Sequence, residues 1–478
     1  MNVARVLSVV ILSATICACS SSDGGDSSGS ANPGWEKFRH DSSNTGRGNG
    51  SVAANNGRKL SVQIDASAPL GAISSSPAVS GDGSAVYIAS EGGTVARLAR
   101  TLGTPVWRVN SCGACPPGKQ ALGPMVSSPA IYTLTNQPHE DLNGQTTIYV
   151  GSTNGSVYGF QDSGSGPPSC IACFQPDFGT GARVQFISSA SLTVDPVRAT
   201  VFGVFLGARI DLPDNRTIGK LYALNSNGTE NWEYPRVGAP EIGAVTSSPA
   251  RAVLTTGGGN ETTWYFTAAD NYMYAVDGNG TLKWKARIGD VTDSSVPFGL
   301  SPVTSAAAIF ASSAGGNIVA LNQDGSPLWL VSAGAGRFAG SLAIGGIPLG
   351  TPTPSPAATP AVTPTPAGGQ AFVYGVTKSG SLLVVDVAVP TPTVLPSLPT
   401  PVSGQVLSSP SLSSDSYLVF GTDDGTLHAV SAVTGLEPAG WPVVLNPGTT
   451  IRSSPTIADD GIIYVGADDG MLYAVGLP

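Results

Sequence analysis

The chain has 478 residues with Gly 61 and Pro 38, charged residues only 12%, aromatics 7% and a net charge of −9. Gly and Pro together stand well above the ~12% of average usage. An apolar share of 41% excludes a chain held open by self-repulsion, and the acidic balance without any Lys/Arg cluster disfavours nucleic acid as a partner. With three histidines (His40, His139, His428), metalloenzyme and His-based triad chemistry start from few candidates.

In chain order, residues 1–18 read as a signal peptide: Arg5, then an apolar run from Val6 to Ile16 that is too short to span a bilayer. Ile16-Cys17-Ala18-Cys19 resembles the bacterial lipobox, with Cys19 as the lipidated residue. Ser20 after it, instead of Asp, implies release to the outer membrane in a Gram-negative cell. Residues 19–34 follow as a flexible Ser/Gly/Asp tether and 35–57 as a lead-in segment. The mature chain is then expected in an oxidising compartment, on the periplasmic side or the cell surface.

From there one string recurs: GTVARL (93–98), GSVYGF (155–160), GKLYAL (219–224), NYMYAV (271–276), GNIVAL (316–321), GSLLVV (380–385), GTLHAV (425–430) and GMLYAV (470–475). The last residues of the strings are spaced by 62, 64, 52, 45, 64, 45 and 45, so the base unit is 45 residues and the excess is insertion. Each unit opens on a Ser-Ser-Pro-type segment, as at Ser75-Ser76-Pro77, Ser127-Ser128-Pro129, Ser247-Ser248-Pro249, Ser408-Ser409-Pro410 and Ser453-Ser454-Pro455. Weaker forms are Ser188-Ser189-Ala190 and Ser301-Pro302. A β-branched and aromatic run, a Gly-bearing turn, the repeated string and, in five units, a Trp-bearing strand complete the unit: Trp107, Trp232, Trp284, Trp329 and Trp441.

Four strands per unit with a period in the forties predict an all-β, eight-bladed β-propeller of four-stranded antiparallel blades over 58–478. The last unit stops after its third strand, and residues 58–65 supply the missing fourth, so an N-terminal strand closes the ring. The Thr-Pro-rich stretch 351–369 reads as an insertion between the first two strands of blade six, a partner-docking arm or a plain surface loop. Pro390–Pro401 is expected to replace that blade's outer strand.

The hairpins running from Tyr222 to Trp232, from Tyr274 to Trp284 and from Val319 to Trp329 resemble the PQQ-type propeller repeat, and Trp35–Gly46 resembles the stretch that precedes such propellers. The resemblance implies that each Trp docks on the neighbouring blade. It serves two kinds of protein: quinoprotein dehydrogenases, which bind PQQ and calcium, and cofactor-free scaffolds such as the lipoprotein subunit of the outer-membrane β-barrel assembly machinery. A lipobox followed by eight blades is more similar to the second kind. The expected function is therefore a non-enzymatic envelope lipoprotein that binds protein partners through its face loops, without cofactor. The alternative is a PQQ- and calcium-dependent dehydrogenase of alcohols or sugars.

Candidate chemistry is sparse. The pairs Cys112-Gly-Ala-Cys115 and Cys170-Ile-Ala-Cys173 have no following His, which excludes c-type haem. Placed at opposite ends of the sheet, they favour a disulfide within each CxxC over a shared zinc site or redox activity. The Asp-Asp-Gly triplets at 423–425, 459–461 and 468–470 suggest calcium or simple hairpin turns, and turns fit their spacing better. His139-Glu140-Asp141 lies in a polar insertion, a cation site or a solvated loop. Arg337 and Arg452 approach the innermost strands with no acidic partner evident, and neither a nucleophile elbow nor a phosphate loop is present. No catalytic residue, cofactor-binding residue or metal ligand is assigned.

Overall fold

A computed structural model describes residues 37–38, 44–53, 55–65, 71–133, 145–164, 166–195, 200–256, 259–289, 295, 297–300, 307–332, 336–345, 372–387, 392–395 and 402–476. The signal peptide, Cys19, the tether, the insertion 351–369, His40 and His139-Glu140-Asp141 lie outside the described residues. Every regular element among the described residues is a strand. They form eight antiparallel sheets: six are four-stranded meanders, in blade three Arg183–Gln185 and Ser191–Asp195 both pair with Thr200–Asp211 to make five strands, and in blade eight a strand distant in sequence is the fourth.

Blade one consists of Ala78–Val79, Ala85–Ala89, Val95–Ala99 and Trp107–Val109. Its second strand shows why the units stack. Val86 and Ile88 pack in one cluster with Ile463 and Val465 of blade eight, while Tyr87 and Ala89 pack in another with Ile148 and Val150 of blade two. Period-2 alternation gives each sheet two apolar faces, and both are buried only between two other blades. In blade eight, Thr456–Ile457, Ile463–Gly466 and Met471–Val475 are completed by Lys59–Gln63, paired from Lys59↔Val475 to Gln63↔Met471. The N-terminal strand closes the ring as the repeat count predicts.

The Ser-Ser segments lie just before the innermost strands, and the second serine of each makes a circular chain. The backbone N–H of Ser76 donates to Oγ of Ser128 (2.8 Å), Ser128 to Ser189 (2.9 Å), Ser189 to Ser248 (3.0 Å) and Ser248 to Ser295 (2.9 Å). Ser295 donates to Ser341 (2.9 Å), Ser341 to Ser409 (3.0 Å), Ser409 to Ser454 (3.0 Å), and Ser454 back to Ser76 (3.0 Å). All eight side chains are buried. The first serine acts within its own blade: Oγ of Ser408 and Ser453 accept from the N–H groups of Gly421 (2.7 Å) and Gly466 (3.0 Å) at the end of the second strand. Blade five corrects the sequence reading. Its ring member is Ser295, because an extra Val296 separates the serine pair from Pro297, and Ser301-Pro302 lies outside the described residues. Blade six contributes Ser341, which carries no Ser-Ser-Pro signature.

The Trp strands carry a β-bulge. In blades three, four and five the register shifts so that Trp232, Trp284 and Trp329 oppose Ala223, Ala275 and Ala320. The Trp232 indole N–H donates to the carbonyl of Gly278 (2.9 Å), and that of Trp284 to Gln323 (2.6 Å), each in the third-to-fourth-strand turn of the following blade. Gly280 has φ +75° and a Cβ there would lie 2.5 Å from the Trp232 ring, so the turn glycine is needed for both conformation and close approach. Trp329 is half-buried with its ring centroid 5.8 Å from Phe310, and Trp107 and Trp441 are buried. Blade six keeps a two-residue outer strand, Thr393–Val394, pairing Val385↔Val394. The proline-rich stretch therefore does not wholly replace that strand: Thr393 and Val394 retain their N–H groups, which the flanking prolines lack.

Replacing Ser128 by Ala leaves the buried N–H of Ser76 without its acceptor. The expected loss is about 1–3 kcal/mol in urea unfolding, against less than about 0.5 kcal/mol for exposed Ser332→Ala. Equal, negligible losses would mean that the ring of serines contributes nothing to closure.

Candidate functional site

The eight innermost strands surround an axial channel with two unlike mouths. At the mouth where these strands begin, the turns between second and third strands gather with the links between blades. Here Glu91 accepts a hydrogen bond from Ser74 Oγ, and Arg452 Nη1 lies 3.2 Å from Asp468 Oδ2. Arg452 thus has the acidic partner that its sequence neighbourhood does not reveal, supplied by the turn of its own blade. Burial first, then nearby Glu91 and Asp469, push the Asp468 carboxyl up from its ordinary value against the opposing pull of Arg452.

The Asp-Asp-Gly carboxylates are engaged by their own turns. Asp424 Oδ1 accepts from Thr422 Oγ1 (2.6 Å) and the Thr426 N–H (3.1 Å), Asp460 Oδ1 from the Ile462 N–H (3.1 Å), and Asp469 from the Met471 N–H (3.0 Å) and the Tyr473 hydroxyl (2.6 Å). Among the described residues no group of three or more His, Cys, Asp or Glu side chains is arranged to hold a metal ion. His428 is buried with Nδ1 2.9 Å from Glu437 Oε1 and stacked on Phe420.

The opposite mouth is crossed by the N-terminal lead-in. Lys37 Nζ donates to Ser191 Oγ of blade three (2.7 Å) and to Asn44 Oδ1 (2.7 Å), and Asn44 Nδ2 reaches the carbonyl of Ser248 in blade four (3.0 Å). The backbone then bonds to Ile344 of blade six through Thr45 and to Leu412 of blade seven through Gly46 and Gly48. Asn55 Nδ2 donates to the carbonyls of Gly461 and Val475 in blade eight (both 3.1 Å). Successive contacts on the innermost strands of blades three, four, six and seven carry this strap across the axis. Lys37 and Asn44 are buried beneath it.

Asp415 pins the strap, accepting from the Ser51 hydroxyl (2.7 Å) and the N–H groups of Val52 (3.0 Å) and Ala53 (2.7 Å). Burial alone would raise this carboxyl; the bonds from Ser413, Val52, Ala53 and Ser51 outweigh it and hold the group below its ordinary value. A depressed folded pKa gives stability that is present above the unfolded carboxylate pKa and lost as pH falls through the folded one. Asp415→Asn is therefore expected to cost about 1–3 kcal/mol at neutral pH and to speed amide exchange at Val52 and Ala53. The exchange difference from the unaltered chain should shrink on acidification below the ordinary carboxylate range. A pH-independent difference would remove the ionised carboxylate from this account.

The cysteines pair across blades: Cys112 with Cys170 and Cys115 with Cys173, at Cα–Cα distances of 5.2 and 5.1 Å. This overturns the expectation of a disulfide within each CxxC. Cys170 and Cys173 do not precede the outer strand of blade two; they lie on it, within Ser169–Phe174. Cys170 and Cys173 stand opposite Phe160 and Tyr158, two residues apart on the neighbouring strand, about 7 Å and at the upper limit of disulfide reach. A β-bulge between the positions opposite Gly159 and Phe160 turns both cysteines toward blade one, while Ala172 and Phe174 face blade three. The link leaving blade one folds back on itself at 110–122, with Cys112 N–H to Gln120 and Leu122 N–H to Asn110 (both 2.8 Å), which sets Cys112 and Cys115 against that strand.

A family model described as outer membrane protein assembly factor BamB, built on the PQQ-like repeat, matches residues 215–437. Residues 215–437 are similar to that family, and they lie within an eight-bladed β-propeller ring. No curated protein matches the chain by sequence. Among solved structures, this propeller is similar to a europium-containing methanol dehydrogenase at 12% identity and TM-score 0.59, over 94% of this chain and 98% of that one. At that identity the likeness is one of fold. BamB from Moraxella catarrhalis aligns at 14% identity and TM-score 0.41 over 87% and 98% of the two chains. The WD40 propeller domain of Doa1 aligns at 13% and 0.42 over 70% and 89%.

The repeat strings, the strand order and the two cysteine pairs are visible in the sequence. The strap, the Arg452–Asp468 pair and Ser295 are not named by it, although Ser-Ser-Val-Pro at 294–297 is a one-residue variant of the signature that finds Ser295.

Proposed function

We propose that this propeller is a non-enzymatic envelope lipoprotein, associated with the outer membrane through lipid on Cys19, that binds protein partners through its face turns. The observation that carries this reading is the composition of the channel wall. Its serines have their polar atoms bonded to one another around the ring, and the strap occupies one mouth. Quinoprotein chemistry needs a carboxylate base, a calcium ligand set and a cation converging over the cofactor. At that mouth Arg452 pairs with Asp468 with Glu91 nearby, and Arg209 and Arg216 of blade three are paired with Asp211, Asp214 and Glu241. The match of nearly half the chain to an outer-membrane assembly factor family supports an envelope partner. With the strap across one mouth, the free face is the one bearing Glu91, Asp423 and Asp468, and partner contacts belong there.

Two outcomes are expected. Titration with PQQ and Ca2+ should give no saturable heat. Photo-crosslinkers at Asp423 and Glu91 should yield adducts with an outer-membrane assembly protein in the native envelope, whereas one at Ser414 on the strap side should not. Stoichiometric PQQ binding followed by dye-linked alcohol oxidation would replace this reading with the dehydrogenase. Separately, Cys19→Ser should move the protein from the membrane to the soluble fraction; unchanged membrane association would exclude the lipid anchor.

A further inference from the structure

We propose that the four-cysteine node joining blades one and two is a tetrathiolate metal site when reduced, taking one Zn2+ per chain. This is independent of the partner-binding reading, because the node lies at a blade junction, away from the channel.

The argument starts from what the fold brings together. Two Cys-x-x-Cys pairs are the ligand spacing of a closed zinc site. The sequence places them 58 residues apart, and the tertiary structure sets them face to face. Cys115 N–H bonds the Cys112 carbonyl (3.2 Å), so the first pair sits on a tight turn, and both cysteines belong to the apolar cluster shared with blade two. The bulged outer strand of blade two presents Cys170 and Cys173 to the same cluster, despite their odd spacing. Cys112 Sγ and Cys170 Sγ converge on one carbonyl, that of Ala172, at 3.5 and 3.7 Å. Trp107, Leu122 and Met125 belong to the same apolar cluster, against which Cys170 and Cys173 pack. Cys112 and Cys115 are buried.

In the structure described, the four sulfurs are consumed by two disulfides, so no free ligand set exists there. A thiol or phosphine reductant breaks both S–S bonds, supplying four electrons while four protons add to give four thiols. Zn2+ then forms four Zn–S bonds and displaces the four protons to solvent. Four thiols left without a metal, two of them buried and two half-buried, would lose the covalent link between the blades, whereas the metal restores a link at the same four points. The blade junction is thus clipped in both redox states, by disulfides when oxidised and by metal when reduced.

The test uses the full chain, reduced anaerobically with a phosphine that is then removed, and Co2+ as the spectroscopic probe. The expected result is one Co2+ per chain with the intense visible bands of tetrahedral thiolate coordination, bleached by Zn2+, and no such uptake by the oxidised chain. Zn2+ should raise the melting temperature of the reduced chain alone. Cys115→Ser/Cys173→Ser keeps the Cys112–Cys170 bond when oxidised, which reports folding. On reduction this variant should bind Co2+ at least about 100-fold more weakly, as expected for loss of ligands. The proposal is overturned by weak octahedral spectra, by uptake that the double variant retains, or by a reduced chain that unfolds and that Zn2+ does not restore.

Discussion

Eight backbone N–H groups, one before each innermost strand, donate in turn to the serine hydroxyl of the following blade, and the eighth returns to the first. Most of what else the molecule does depends on that circle. A buried N–H without an acceptor is costly, so each blade is held at the spacing that lets its serine reach the next. The requirement is local, since each blade needs only one hydroxyl at one position. It is also global, because the chain of bonds is complete only when the last blade meets the first. The same requirement places one small hydroxylic residue just before each innermost strand.

Closure is reinforced at three further levels. Lys59–Gln63 supplies the outer strand of blade eight, so separating the ends exposes both an apolar face and a sheet edge. The strap ties blades three and four to six, seven and eight through side-chain and backbone bonds, with Asp415 as its charged anchor. The disulfides tie blade one to blade two, adjoining the point where the ring closes. A molecule with few charges and many turns gains its cohesion from these circumferential links as much as from the interblade clusters.

The two faces consequently differ in kind. One mouth is covered by the chain's own N-terminal segment, with Lys37 and Asn44 buried beneath it. The other presents short acidic turns whose carboxylates mostly brace their own backbone, with Arg452 and Asp468 paired among them. Rigid turns on a closed ring are a preorganised surface, which lowers the ordering cost of binding a partner.

Much of this architecture is legible in the amino-acid order because its determinants repeat at short range. The strings ending at Leu98 to Val475, the turn glycines and the alternation around Tyr87 and Ile88 each state a strand, a turn or a face. Counting them gives eight blades and the truncated last unit that calls for residues 58–65. What the tertiary structure alone decided involves residues far apart in sequence or a break in periodicity. A single bulge reverses the facing of Cys170 relative to Cys173, and with it the pairing of all four cysteines. One inserted valine hides Ser295 from the Ser-Ser-Pro signature. The course of the strap from Lys37 to Asn55 depends on where blades three, four, six, seven and eight end in space, and no local pattern encodes that distance. Periodicity in the sequence therefore determined the ring. Contacts between its distant parts, which only exist once the ring is closed, decided how the cysteines pair and which mouth the N-terminal segment crosses.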